Sequence, residues 1–203
     1  MSHGTNRRKV LAVLAGGLVL GIGTAVTLAA WNDSEFAAST FAAGAFDLEG
    51  ATDGAAGAYA DHESAGEAAA LTFTVEPENL SPSDVVYAPY WVRLDAATTT
   101  GGTLAVDAVS ATPGTPDATP DLAHALYAIG PDAPCDATAT SGTLVASGAT
   151  ADSLTAGADV ALSAGAAGSA GAPVQLCFVV TAGDALEQGA TSTVTWSFLA
   201  TQG

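Results

Sequence analysis

From residue 35 to the C-terminus the apolar residues recur with a period of two, while helix caps and apolar stripes at helical spacing are scarce. Ser192 to Phe198 reads Ser-Thr-Val-Thr-Trp-Ser-Phe, so Val194, Trp196 and Phe198 fall on one face and Thr193, Thr195 and Ser197 on the other. Val174, Leu176, Phe178 and Val180 form a second such row, with Cys177 on the opposite one. Leu71 to Glu76 alternates in the same way. A segment of this kind buries one face of a pleated strand; wound as a helix, it would scatter its apolar groups around the axis.

Further strand candidates are Thr40 to Leu48, Val85 to Leu94, Gly102 to Ser110, Leu122 to Ile129, Gly142 to Ser147 and Asp152 to Leu162. Val85 to Leu94 is apolar on both faces, and Pro89 inside it points to an edge position or a bulge. Pro113, Pro116 and Pro120 mark Ser110 to Asp121 as a loop, and the Ala/Gly/Ser-rich stretch Ser163 to Pro173 as another. About nine or ten short strands separated by turn signals predict an all-β chain, a single β-sandwich or jelly-roll domain. Alanine-rich strands bury little area each, so Phe73, Trp91, Phe178, Trp196 and Phe198 must carry much of the core.

Charge divides the chain in two. The only bases are Arg7, Arg8, Lys9 and Arg93, and no acid precedes Asp33. From residue 30 onward all 21 acids face the single base Arg93, a formal charge of −20. No basic patch can be built from this, so binding of nucleic acid through its phosphates is excluded. Only one long apolar run exists, which excludes a multi-pass membrane protein.

That run, Val10 to Ala30, follows Arg7-Arg8-Lys9 and has the form of a secretory signal helix. Thr27 and Ala29 place small residues three and one positions before a cut between Ala29 and Ala30. An uncleaved membrane anchor is the alternative, because the run is long enough to span a bilayer. The Arg-Arg pair also raises twin-arginine export, although its flanking residues match that signal poorly. The expected organisation is a signal peptide over 1–29, an N-terminal segment over 30–48 and a β-sandwich over 49–203. The membrane is met only through the signal segment, before cleavage. Cys135 and Cys177 are the only cysteines; in an oxidising compartment they suit a disulfide, and the alternative is two small buried apolar side chains.

The junction from Ala29 to Gly50 reads AAWNDSEFAASTFAAGAFDLEG. Trp31, Asn32 and Asp33 after the cut, then Thr40-Phe41, Gly44, Asp47 and Leu48, resemble the start of the TasA/camelysin family of exported proteins. Asn79 to Asp84 is similar to that family's NLxPGD turn, with Ser83 in place of glycine, and Thr195 to Gln202 is similar to its closing strand. The resemblance implies processing by a signal peptidase of the SipW type. It also implies a secreted jelly-roll subunit of the cell surface or biofilm matrix. Its partners would be further copies of itself or related exported proteins, and its fibres would form by donation of an N-terminal strand. Strand addition pairs an extended segment with an open sheet edge and seats alternate side chains in pockets. The donor would be Ala30 to about Ala45, with Phe36, Phe41 and Phe46 as anchors. Two alternatives remain: an ordinary first strand folded into its own domain, and a monomeric exported accessory protein.

No catalytic constellation is present: HExxH, GxSxG and the P-loop are all missing. Camelysin-type relatives make a metallopeptidase the third reading, with Asp61, His62, Glu63 and Glu67 as the candidate zinc ligands. Their alternative is a solvated loop. Asp132, Asp136 and Asp152 are the acids that would join a calcium site, but no Asp-x-Asp-x-Asp-Gly loop holds them. No other cofactor is expected. His124 lies in an alternating strand and reads as half-buried or solvated.

Overall fold

The computed structural model describes residues 6–14, 35, 37–39, 43–75 and 77–203. The chain divides into two compact units, Met1–Ala42 and Ala43–Gly203. In the first, residues 6–14 form a helix that carries Arg7, Arg8 and Lys9. Among the described residues no helix is long and apolar enough to cross a membrane.

The second unit is all-β and starts at Ala43, ahead of the expected boundary at 49. Its strands are β1 (Leu48–Ala51), β2 (Val85–Leu94), β3 (Gly102–Pro113), β4 (Leu122–Ile129) and β5 (Thr143–Gly148), then β6 (Thr155–Ala156), β7 (Val160–Leu162), β8 (Val174–Ala182) and β9 (Ser192–Gln202). Six of them form one antiparallel sheet in the order β1-β2-β8-β4-β5-β6, and three form the other, β7-β3-β9. The two sheets face each other as a sandwich. Between them lie Tyr90, Val92 and Leu94 of β2, Leu104 and Val106 of β3, Leu126 of β4, Leu162 of β7, and Leu176 and Phe178 of β8. The even-numbered rows read from the sequence on β8 and β9 are the inward ones: Phe178 is buried, and Trp196 and Phe198 pack against the same core.

β8 is central and buried on both faces. Its outward row holds Gln175, Cys177 and Val179, all under 10 % exposed. The cover is the loop after β4 and the 3-10 helix Ala137–Ser141, whose Ala139 joins Cys177 and Val179 in a small apolar cluster. Three ties hold this loop. Cys135 and Cys177 form the disulfide, with Cα atoms 5.3 Å apart. Trp91 Nε1–H donates to the Pro131 carbonyl at 2.8 Å. The Gln175 amide nitrogen, turned to the loop, donates to the carbonyls of Gly130 at 2.9 Å and Ala133 at 3.0 Å. Without them Gln175 would be an unpaired buried amide costing on the order of 1–3 kcal/mol.

Three expected strands differ from those found. Leu71 to Val75 forms no strand; its one ladder-like bond is Thr74 N–H to the Tyr87 carbonyl at 2.8 Å. The alternation there still turns Leu71 and Phe73 to the core, but the segment lies across the sandwich instead of extending a sheet. Of Thr40 to Leu48, positions 40–42 lie outside the described residues; Ala45 makes only an isolated bridge to Thr98, and β1 begins at Leu48. The run from Asp152 to Leu162 breaks into β6 and β7, because the chain passes there from one sheet to the other. Gly157 N–H bonds the Val145 carbonyl at 2.8 Å, and a Cβ on Gly157 would run into the backbone of Leu144.

Pro89 sits where its missing N–H costs nothing. Tyr87 turns its N–H and C=O away from β8, toward Thr74. Two residues on, Pro89 faces the same side, and β1 covers β2 only from Trp91 to Leu94. The strand is internal, but its outer edge is bare at the proline.

Candidate functional site

The two flanks of the sandwich differ. On one, β6 ends the large sheet, β7 ends the small one, and the chain passing directly between them closes the side. On the other, β1 and β9 are the two edges, and no strand joins them among the described residues. β9 is 11 residues long and among the described residues pairs only with β3, so there its second edge has no strand partner.

Along that edge runs a groove of about 780 Å³, between β9, β1 and the segment from His62 to Phe73. Its floor is aromatic. Phe178 and Trp196 meet edge to face at 4.9 Å, Tyr90 and Phe198 stack at 6.2 Å, and Phe178 is perpendicular to Phe198. Such pairs contribute about 0.5–1.5 kcal/mol each beyond their buried area and fix ring orientation, so the floor is a defined surface. Tyr90 is buried, which raises its phenol above the ordinary value by desolvation. His62 approaches Tyr90 edge-on at 6.5 Å, and its buried Nδ1 has no hydrogen-bond partner.

Phe46 is the one expected donor anchor within the described residues. It packs against the central core and lines the groove, held by Thr98, whose hydroxyl accepts the Asp47 N–H at 2.9 Å. Its ring lies over Gly102, where a Cβ would stand 2.8 Å from Phe46 Cζ. The signal-cleavage residues Ala29 and Ala30, the post-cleavage residues Trp31, Asn32 and Asp33, and the anchors Phe36 and Phe41 lie outside the described residues.

The metal candidates do not converge. His62 and the exposed Glu63 line the groove, while Asp61 and Glu67 are exposed and do not line it, and Glu67 accepts the Ser64 hydroxyl at 2.9 Å. Asp136 caps the 3-10 helix Ala137–Ser141, accepting from the hydroxyl and backbone N–H of Thr138, which hold its carboxyl below the usual value. Asp152 accepts the Thr150 hydroxyl at 2.7 Å. Among the described residues no group of three or more His, Cys, Asp or Glu side chains is arranged to hold a metal ion.

One arrangement had no counterpart in the sequence, and one residue expected to be half-buried or solvated is buried. Arg93 Nε meets Glu49 Oε1 at 2.5 Å, and its guanidinium lies 3.7 Å from the centre of the Tyr59 ring. Burial raises the Tyr59 phenol, and the Arg93 charge opposes that shift. The domain's one base is therefore consumed internally. That residue is His124, which is 5 % exposed. It shares a face with Leu122 and Leu126, and that face points inward. No protein-family model and no curated protein matches the chain.

Proposed function

We propose that this chain is a secreted, non-enzymatic structural protein of the cell surface or biofilm matrix, a subunit that takes a strand from its neighbour along β9. The observation that carries this reading is the 11-residue edge of β9, without a strand partner among the described residues, beside an aromatic groove. An extended segment added there gains a ladder of backbone hydrogen bonds and places every second side chain over Tyr90, Phe178 and Trp196. The disulfide supports an oxidising compartment, as does the basic helix that precedes a long apolar run. Because Phe46 is used within its own domain, a donor segment would come from residues before Ala43, with Phe36 and Phe41 as its large apolar groups.

The −20 charge of the chain from residue 30 onward opposes self-association, so salt or divalent cations should promote it. The test is electron microscopy of the processed protein over a range of concentration, ionic strength and calcium. Filaments that form with residues 30–42 present, and fail when they are deleted from a still-folded domain, support strand addition. Monomers under every condition would overturn it. They would favour the second reading, a monomeric exported accessory protein, for which the home-kept Phe46 is the supporting observation.

A further inference from the structure

A histidine of the large sheet is hydrogen-bonded to a tryptophan of the small one. His124 on β4 is buried, and both of its ring nitrogens are engaged. Nε2 lies 2.9 Å from the Ser153 carbonyl oxygen, which can only accept, so Nε2 carries the proton. Nδ1 is then a bare lone pair, and Trp196 of β9 donates its indole N–H to it at 3.3 Å. The two rings meet edge to face at 5.7 Å, and Trp196 in turn packs on Phe178 in the groove floor. The fit is close: a Cβ on Gly148, the residue opposite His124 on β5, would collide with Nε2 and with the Ser153 carbonyl.

We propose that the His124–Trp196 contact is a proton-operated latch between the sheets, in which protonation of Nδ1 sets two N–H groups against each other and releases Trp196 from the groove floor.

Nothing around His124 neutralises the added charge. Its neighbours across the sheet are Val180 on β8 and Gly148 on β5, and β5, β8 and β9 carry no acid or base apart from Cys177, which is in the disulfide. On β4 itself, Tyr127 points to the opposite face. Asp121 precedes β4, Asp152 in the adjoining turn is bound to Thr150, and Asp107 on β3 and Asp184 and Glu187 before β9 are exposed. None of these acids bonds the imidazole. Desolvation accordingly lowers the His124 pKa from its ordinary value, against the smaller raising effect of the Ser153 hydrogen bond. The unfolded chain takes up a proton as pH falls through about 6.5, whereas the folded one resists until lower pH. The contribution to stability is therefore complete above that range and is lost as pH falls toward the folded-state value. The latch stands whether or not the protein assembles; its control of strand addition rests on the reading proposed above.

The experiment is a proton NMR pH titration of the full chain, with the Trp196 indole N–H assigned by its loss in Trp196→Phe. His124 should titrate below its ordinary value, and the Trp196 N–H should shift with the same midpoint. In His124→Asn, which keeps an acceptor facing Trp196 but takes up no proton, the Trp196 signal should stay flat through that midpoint. In Trp196→Phe, with no donor left on Nδ1, the His124 midpoint should move upward; this arm decides the matter if His124→Asn does not fold. A Trp196 signal indifferent to the titration of His124, the same Trp196 shift in His124→Asn, or an unmoved His124 midpoint in Trp196→Phe would each overturn the latch. Filament yield against pH is read separately. A working latch without filaments at any pH sinks the assembly reading alone, while filaments with the same pH profile in wild type and His124→Asn sink the latch's control over them.

Discussion

Arg93 and Glu49 form an ion pair 2.5 Å long across β1 and β2, and the guanidinium lies flat enough over Tyr59 to bring its centre 3.7 Å from the ring. Glu49 is 12 % exposed and Arg93 27 %, so the pair is better shielded than a surface bridge. Arg93→Lys keeps the charge but loses the planar face that stacks on Tyr59. It should cost about 1 kcal/mol, read as a lower urea midpoint with an unchanged slope. Glu49→Gln should cost a similar amount, and a double-mutant cycle should show the two losses to be less than additive.

The same arginine is the sole trypsin site beyond Lys9. It lies in β2, between β1 and β8. The folded domain should resist trypsin for hours. The unfolded domain should give a single cut after Arg93, so that the cleavage rate reports opening of β2. Rapid native cleavage would mean that β1 leaves β2 far more readily than its register indicates.

Reducing the disulfide should be expensive. The bridge closes a chain separation of 42 residues, for which loop-closure entropy alone corresponds to about 4 kcal/mol. Cys135→Ala with Cys177→Ala should lower the urea midpoint accordingly and expose the Arg93 cut at a lower denaturant concentration. Gln175→Leu should loosen the same loop by about 1–2 kcal/mol, because the carbonyls of Gly130 and Ala133 lose their donor.

Ser83 has φ 69°, in the left-handed region, at the position where the resembled turn carries glycine. Its N–H donates to the Ala182 carbonyl, and its hydroxyl donates to Asp184 at 2.6 Å. Ser83→Gly trades that hydroxyl bond for relief of strain, and should change stability by no more than about 1 kcal/mol. Ser83→Val loses the bond and puts a branched Cβ in the same conformation, and should cost about 2 kcal/mol or more. Thermal unfolding of the two variants side by side distinguishes strain from side-chain loss.

Period-two alternation located most of the sheet residues, because the sandwich faces are half buried and the pattern records burial directly. It failed where burial and pairing part company. Leu71 and Phe73 are turned inward by a segment that has almost no ladder, and no single-chain pattern distinguishes that from a strand. The stretch from Thr155 to Leu162, Thr-Ala-Gly-Ala-Asp-Val-Ala-Leu, carried too little contrast to reveal the break at Gly157. The groove was invisible for a different reason: it lies between β1 and β9, which are far apart in sequence and which no strand joins among the described residues. His124 was expected half-buried or solvated although it shares a face with the inward Leu122 and Leu126, and its partner Trp196 is 72 residues away, brought near only by the packing of one sheet on the other.

The unequal flanks set a limit on any polymer of this subunit. The β6–β7 crossing seals one side and β1 and β9 are the edges on the other; if neighbours add along β9 alone, as proposed, each molecule would have a valence of one acceptor. Units with one donor and one acceptor add head to tail, and such contacts give a polar line with two unlike ends, which closes into a ring only if the rotation per step allows it. Growth would then be unbranched, and a copy lacking its donor residues would cap the end on which it adds while leaving the other free.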